Sequence, residues 1–255
     1  MKDESSPQPY RSLLILTFAL ILVSLALQGF AQFFPKTFVG LCQEDGAVEY
    51  IGALALLLAC PVFLAASFYS RSRIALILLA LFCFVSFGEE ISWGQRLLGF
   101  ESPSFFRQWN HQDEFNLHNL AWISGFDEKG KALGGWSNYL NAGRFFTLIC
   151  FTLGIFLPLA RTLSTKVEAK AKELSLASTP LLSSISIGVN YLLFKILILL
   201  DGRYVHSRNE VKESVYALCL LYIAIFTFSR MKRKSSSAAL RQSLPSPSED
   251  SLMDR

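Results

Sequence analysis

Charged side chains are scarce in this chain. They make up 17% of its 255 residues, where soluble domains carry about 25%, and a 52% share of hydrophobic residues takes their place. That deficit excludes an ordinary soluble domain. Histidine is rarer still, and the five cysteines (Cys42, Cys60, Cys83, Cys150, Cys219) show no CxxC or comparable spacing, which argues against a disulfide framework and a thiolate zinc site. No GxSxG or equivalent motif marks a nucleophilic serine or cysteine. No basic, aromatic-lined soluble domain offers a surface for nucleic acid, and no internal repeat suggests the inverted-repeat plan of many transporters.

What the chain does have is apolar length. A helix needs about twenty apolar residues to cross roughly 30 Å of hydrocarbon, and six runs qualify, at approximately 13–34, 47–68, 74–93, 140–163, 181–200 and 211–229. None alternates as the strands of a membrane barrel would. The expected fold is all-α, a polytopic transmembrane helical bundle of about six spans, whose first partner is the lipid bilayer. A polar tail over 1–12 precedes the helical domain at 13–234, and the Ser- and Pro-rich stretch 235–255 is expected to be disordered. The first run also has a reading as a signal peptide, since Arg11 precedes it and Gly29-Phe30-Ala31 offers small residues for cleavage. Removal would leave five spans in the same orientation.

Orientation follows from the basic residues. With the N-terminus in the cytoplasm, Arg71, Arg73, Arg161, Lys166, Lys170, Lys172, Arg230, Lys232, Arg233 and Lys234 fall inside. The positive-inside tendency therefore favours both termini in the cytoplasm and a location in the inner (plasma) membrane. Between the third and fourth runs, the stretch 96–139 carries Trp109, Trp122 and Trp136, with Trp93 just before them, interleaved with Phe100, Phe105, Phe106, Phe115 and Phe126. Tryptophan concentrates at the headgroup level, so this stretch is expected to form an aromatic cap on the extracytoplasmic face.

In that topology the unusual polar residues gather at the outer ends of the spans: Gln28, Gln32, Glu49, Glu89, Glu90, Arg144, Lys195, Glu210 and Glu213. The histidines His111, His118 and His206 fall in outer loops, and the inner halves are almost wholly apolar. An ionised side chain within a span costs roughly 2.5–3.5 kcal/mol even on the mildest scale, so adjacent Glu89 and Glu90 require compensation. One source is structural ion pairing with Arg96, Arg144 or Lys195. The other is a working site in which Glu89, Glu90 and His118 are the catalytic residues. For Glu49, the favourable dipole of a helix N-terminus stands beside a role in that site.

Two spacings raise the question of a metal. If Asn110 to Leu120 is helical, His111, Glu114 and His118 fall at i, i+3 and i+7 on one face. His206, Glu210 and Glu213 fall at i, i+4 and i+7 if the last helix begins early. Imidazole and carboxylate suit zinc, iron or manganese, which makes a divalent metal the candidate cofactor and these six residues its candidate ligands.

The run FGEEISWGQR from Phe87 to Arg96, followed by NLHN from Asn116 to Asn119, resembles a group of multi-pass membrane proteins found in many bacteria. The EDG tripeptide at Glu44 and the Glu210/Glu213 pair are similar to that group as well. The resemblance implies the multi-pass fold and brings no particular activity. A looser resemblance is to intramembrane proteases of the CAAX-processing type, whose EExxxR motif uses acids to activate a metal-bound water. Here Arg96 lies farther from Glu90 than that spacing, and the FxxxH and HxxxN elements are missing, Phe115 to His118 being one residue short.

Three functional classes are consistent with these features. The first is a membrane-embedded hydrolase or transferase acting on a lipid or lipid-linked substrate at the outer leaflet, with Glu89 or Glu90 as general base or metal ligand and His118 as acid, base or ligand. The second is an ion- or proton-coupled transporter, against which stands the lack of polar residues near the span centres apart from Asn190. The third is a structural or interaction protein whose charges hold the bundle together.

Overall fold

Long apolar runs with internal backbone hydrogen bonding are the only open-ended segments that satisfy their polar groups in lipid, and the chain folds accordingly. The computed structural model describes residues 8–43, 45–70, 73–110, 112–125, 131, 134–135, 139, 141–174 and 181–243. It is all-α, with no strand among the described residues. In order, the elements are α1 Gln8–Phe33, α2 Pro35–Leu41, α3 Ala47–Ser67, α4 Ile74–Glu90, a single 3-10 turn Ser92–Gly94, α5 Gln95–Leu98, α6 Ser104–Trp109 and α7 Ala121–Ser124. Next come α8 Ala142–Phe151, a π turn Thr152–Phe156, α9 Leu157–Leu163, α10 Thr165–Glu173, α11 Leu181–Leu200 and α12 Val205–Ser243.

Among the described residues, four helical stretches are long and apolar enough to cross a membrane, Leu14–Phe33, Ala47–Ser67, Ala142–Leu163 and Val205–Ser237. A fifth is formed if α4 is joined to Ser92–Leu98 across a 63° bend. The α11 helix is also apolar and has 20 residues. Helix α12 continues to Ser243, past position 234 where the sequence suggests a disordered tail.

The bundle is built around α3, which packs along both α4 and α12. Between helices in lipid there is little hydrophobic driving force, so close approach of small residues and interhelical hydrogen bonds carry the association. The buried face of α3 is accordingly Gly52, Ala53, Ala55, Ala59 and Ala66 with Leu56 and Phe63. A Cβ on Gly52 would sit 2.9 Å from Ser214 Oγ and 3.2 Å from its Cα, and the Ser214 hydroxyl donates to the Val48 carbonyl at 2.7 Å. Leu56, Phe63, Leu76, Ile187, Tyr216 and Leu220 close the core below. Ile15, Phe18, Leu22, Leu54, Leu78, Leu192 and Leu199 are turned outward.

On the far side of α12, α1 and α11 meet through a polar seam. The Ser24 hydroxyl donates to Asn190 Oδ1 at 2.5 Å, and Asn190 Nδ2 donates to the Lys212 carbonyl at 3.2 Å. In the α8–α9 helix the π turn frees the Gly154 carbonyl, which accepts from the Ser184 hydroxyl.

The end of α4 aims the chain that leads to the loop and its histidine. Ser92 (φ 47°), Trp93 (φ 53°) and Gly94 (φ 80°) are all left-handed, and this strained turn redirects the backbone across the end of the bundle. Beyond α6 the chain does not form the helix that would align His111, Glu114 and His118 on one face. It is a loop pinched by an antiparallel bridge between Asn110 and Leu120, with Asp113 at φ 57°. A helix is rejected there because Asn110 competes for the local backbone: its Nδ2 donates to the carbonyls of Glu114 and Asn116 at 2.9 and 3.1 Å.

Candidate functional site

Glu89 and Glu90 are adjacent in sequence but have different surroundings. On the last turn of α4, Glu89 points toward the Asn110–Leu120 loop. Its Oε2 accepts from the backbone N–H groups of Leu117 and His118 at 2.6 and 2.9 Å, and its Oε1 accepts from Trp93 Nε1 at 2.8 Å. The same Oε2 lies 3.5 Å from His118 Nδ1. A carboxylate taking three N–H donors is a joint between the helix end and the loop.

Glu90 faces the bundle. Among the described residues it has no hydrogen-bond or ion-pair partner, and it lines a narrow cleft together with Glu49, Gly52, Leu56, Phe146, Glu210, Glu213, Ser214 and Ala217. Four carboxylates from α3, α4 and α12 thus look into one space between α3, α4, α8 and α12. Their convergence follows from helical spacing: Glu210, Glu213 and Ala217 recur on one face of α12, which begins at Val205, early enough to include them.

Glu213 is the compensated member. Its Oε1 accepts from Asn209 Nδ2 at 2.8 Å and stands 3.5 Å from Lys212 Nζ. It also abuts the first turn of α8, where a Cβ on Gly143 would lie 2.9 Å from Oε1. Asn141 caps that helix by accepting from the Arg144 N–H at 2.9 Å, so the positive end of the α8 dipole faces the carboxylate. Glu49 is in the first turn of α3, where its Oε2 accepts from the Asp45 N–H at 2.8 Å, and it also lines the cleft.

His118 sits where the charges of Glu89, Glu90 and Glu213 all reach it. Burial disfavours its charged form, but the Glu89 contact and the neighbouring carboxylates outweigh this and hold its pKa above the ordinary value. An imidazole whose basicity is raised, near one hydrogen-bonded carboxylate and one without a hydrogen-bond partner among the described residues, is an arrangement able to pass a proton.

The cations suggested by the sequence pair elsewhere. Arg96 bridges Glu114 and Asp45, the latter at 2.5 Å. Lys195 is exposed, over the rings of Tyr191 and Phe194 at 5.5 and 5.8 Å, its long side chain reaching outward rather than into the bundle. Arg144 is exposed against Tyr139 at 5.8 Å. The cation at the cleft is Lys212, whose Nζ is held by Asn209 Oδ1 at 2.5 Å and lies 4.8 Å from the Phe194 ring centre. In an apolar run that starts at 211, Lys212 looks like a helix-end charge, and nothing in the sequence marks it as one carried into the bundle.

Among the described residues, the nominal metal ligands do not come together. His111 lies outside the described residues, as do Phe126 and Trp136 of the aromatic stretch. Glu114 belongs to the loop, paired with Arg96 and accepting from Ser92 Oγ at 2.9 Å. His206 is exposed and meets its own helix neighbour Glu210 at 3.8 Å. No group of three or more His, Cys, Asp or Glu side chains among the described residues has the spacing to hold a metal ion.

The chain matches no protein-family model, no curated protein and no solved structure. Its chemistry therefore rests on its own geometry, which also accounts for most of the GEEISWGQR and NLHN residues. Gln95 Oε1 accepts from the Phe115 N–H at 2.5 Å, Ser102 Oγ donates to the Asp113 carbonyl at 2.6 Å, and Asn116 Nδ2 reaches Ser92 Oγ at 3.0 Å. These residues build the loop, while Glu90 lines the cleft.

Proposed function

We propose that the protein is a six-span integral membrane protein, with α11 as the additional span, both termini in the cytoplasm and the 96–139 segment as an aromatic cap at the outer face of the inner membrane. The cleft lies between α3, α4, α8 and α12, with Glu90 at the end of α4 that leads into the 96–139 segment, and this supports the reading. Leu97 and Leu98, 70% and 78% exposed, and the ring contacts of Trp122 with Phe105 and Trp109 suit the headgroup boundary.

The activity that fits is general acid–base catalysis, a hydrolase or transferase acting on a lipid or lipid-linked substrate that enters from the outer leaflet. The observation that carries this reading is Glu90, a carboxylate without a hydrogen-bond partner among the described residues, facing a cleft beside a histidine that Glu89 holds in place. Glu90 serves as the base and His118 as the proton donor, with Glu89 a positioning residue. The test is lipid profiling of a deletion strain complemented with wild type, Glu90→Gln or His118→Gln. An accumulating lipid species that wild type clears and both variants leave supports the reading; identical profiles in every strain reject it.

A proton- or cation-coupled transporter is the second reading, favoured by the four carboxylates lining the cleft. The apolar core of Leu56, Phe63, Leu76 and Leu220 below it offers no polar path toward the other face, and ion flux in proteoliposomes abolished by Glu90→Gln would reverse that preference.

A further inference from the structure

The largest fully buried side chain among the described residues is a cation, Arg208, whose relative exposure is 0%. It lies on the face of α12 turned toward α1, away from the carboxylate cleft, so a role for it is independent of the acid–base reading. Its Nη1 donates to Gln28 Oε1 at 2.8 Å and to the Gln28 carbonyl at 3.4 Å, and Gln28 Nε2 returns a bond to the Arg208 carbonyl at 3.3 Å. Nε and Nη2 have no hydrogen-bond partner among the described residues. No carboxylate forms an ion pair with it among the described residues either. The acid whose charge reaches it, Asp201, is held by Arg203 through Nε at 2.8 Å and Nη2 at 3.0 Å, an arrangement that pulls the Asp201 carboxyl down to about 2.

A guanidinium removed from water with two of its nitrogens unbonded and no counter-charge is a costly arrangement. Proteins retain one where something supplies the missing acceptors. The empty pair, Nε and Nη2, is the edge of the guanidinium that takes two oxygens of one phosphate or carboxylate in a bidentate fork. The surroundings select among anions. Arg208 is in the first turns of the 39-residue α12, whose first turn carries no acidic residue and whose N-terminal dipole favours an anion. On the topology proposed above, on which this step rests, its depth is that of the capped end, where lipid phosphates lie. Its cover is the short α11–α12 connection, in which Tyr204 is held at φ 63° and packs edge-on against Phe38 at 6.3 Å. A non-glycine residue in that region is strained.

We infer that Arg208, with Gln28 and the N-terminal turn of α12, forms a phosphate-binding site between α1 and α12 at the capped end, filled by a phospholipid headgroup or by free phosphate. The two sources share the chemistry and are separated by experiment.

Full-length protein is purified, stripped of lipid by prolonged detergent washing and titrated separately with inorganic phosphate, with phosphatidylglycerol micelles and with diacylglycerol micelles, following thermal unfolding and, for lipids, retained adducts by native mass spectrometry. Stabilisation by phosphatidylglycerol but not diacylglycerol, with one retained phospholipid, identifies a headgroup site. Stabilisation by inorganic phosphate alone identifies a soluble-phosphate site. Arg208→Gln should weaken whichever response is seen by about tenfold or more in Kd, the weight of one or two bonds to a charged group. Gln28→Glu supplies a resident carboxylate, so it should raise the stability of the stripped protein and abolish the response; it keeps the test decisive if Arg208→Gln does not fold. No response to either phosphate source, or equal responses in wild type and Gln28→Glu, overturns the proposal.

Discussion

Glu89 holds His118 twice, accepting its backbone N–H at 2.9 Å and standing 3.5 Å from its ring Nδ1 with the same oxygen. A single carboxylate oxygen thus holds the loop residue by its backbone and lies within ion-pair range of its imidazole. The next residue, Glu90, turns into the cleft instead, because successive side chains on a helix point about 100° apart.

The two acids should therefore respond oppositely to substitution. Glu89→Ala leaves the N–H groups of Leu117 and His118 and the Trp93 indole without their acceptor, and each buried donor left unpaired costs about 1–3 kcal/mol. Thermal unfolding in detergent should show a large loss for Glu89→Ala and a smaller one for Glu89→Gln, whose amide oxygen can still accept. Glu90→Gln should leave stability unchanged or raised, since it removes an uncompensated charge, while eliminating any activity that complementation reveals. Similar losses of stability for Glu89→Ala and Glu90→Ala would contradict this division.

Gly88 and Trp93 give a second, local test. A Cβ on Gly88 would lie 2.8 Å from the Trp93 ring atoms Cε3 and Cζ3, so Gly88→Ala must move the indole. The move breaks its bond to Glu89 and disturbs the left-handed turn. The expected cost is about 1–3 kcal/mol, as for overpacking in a tight interior, with an indole emission shift. Trp93→Ala should already lose the bond, so adding Gly88→Ala to it should cost little more. Additive losses in the double variant would count against the clash.

How far the sequence reveals this arrangement depends on the residue. The apolar runs are legible because a helix in lipid has no alternative way to satisfy its backbone, and the positions of α1, α3, α4 and the α8–α9 pair follow from them. The convergence of Glu49, Glu90, Glu210 and Glu213 is also legible, since all four lie at helix ends brought to one side by the up-and-down path. The roles within the Glu89-Glu90 pair are not. They depend on a loop whose shape is set by Asn110, Asp113 and Asn116 through contacts spaced too irregularly for any periodicity to announce. The ion pairs are hidden for a similar reason: Arg96, Arg144 and Lys195 are long enough to reach several partners, and only packing decides which. Lys212 escapes notice because its helix begins at Val205, well ahead of the hydrophobic run.

The pH dependence of stability should carry the signature of His118. Its pKa is raised in the folded protein above the ordinary 6.5, with Glu89 as the main source of that rise against burial. The contribution of its charged form is therefore fully present below about pH 6.5 and is lost as pH climbs through the folded value. Unfolding temperatures measured between about pH 6 and pH 9 should fall toward the alkaline end in wild type. In His118→Gln that alkaline decline should shrink. A wild-type profile that rises with pH over this window would reverse the sign and remove the Glu89–His118 contact as its cause.

Arg96 joins the loop to the opposite helix entrance, with Glu114 on one side and Asp45 at 2.5 Å on the other. Glu114 is buried and also receives Ser92 Oγ at 2.9 Å and Asn119 Nδ2 at 3.1 Å, so Arg96→Ala leaves a buried carboxylate with neutral donors only. Breaking such a pair by removing one partner costs about 3–5 kcal/mol where both groups are fully buried. Here Arg96 is 29% exposed and Asp45 41%, which screens the loss toward the lower end or below it. Lysine cannot span both acids with a planar fork, so Arg96→Lys should recover little. The effect should be confined to the 92–120 segment, where hydrogen exchange and protease cleavage should rise in Arg96→Ala while α3 and the buried part of α12 stay protected. Restoring neutrality with Glu114→Gln in the Arg96→Ala background should recover part of the protection, because the orphaned charge is then gone; no recovery would show that Arg96 acts through packing of its stem rather than through the ion pair.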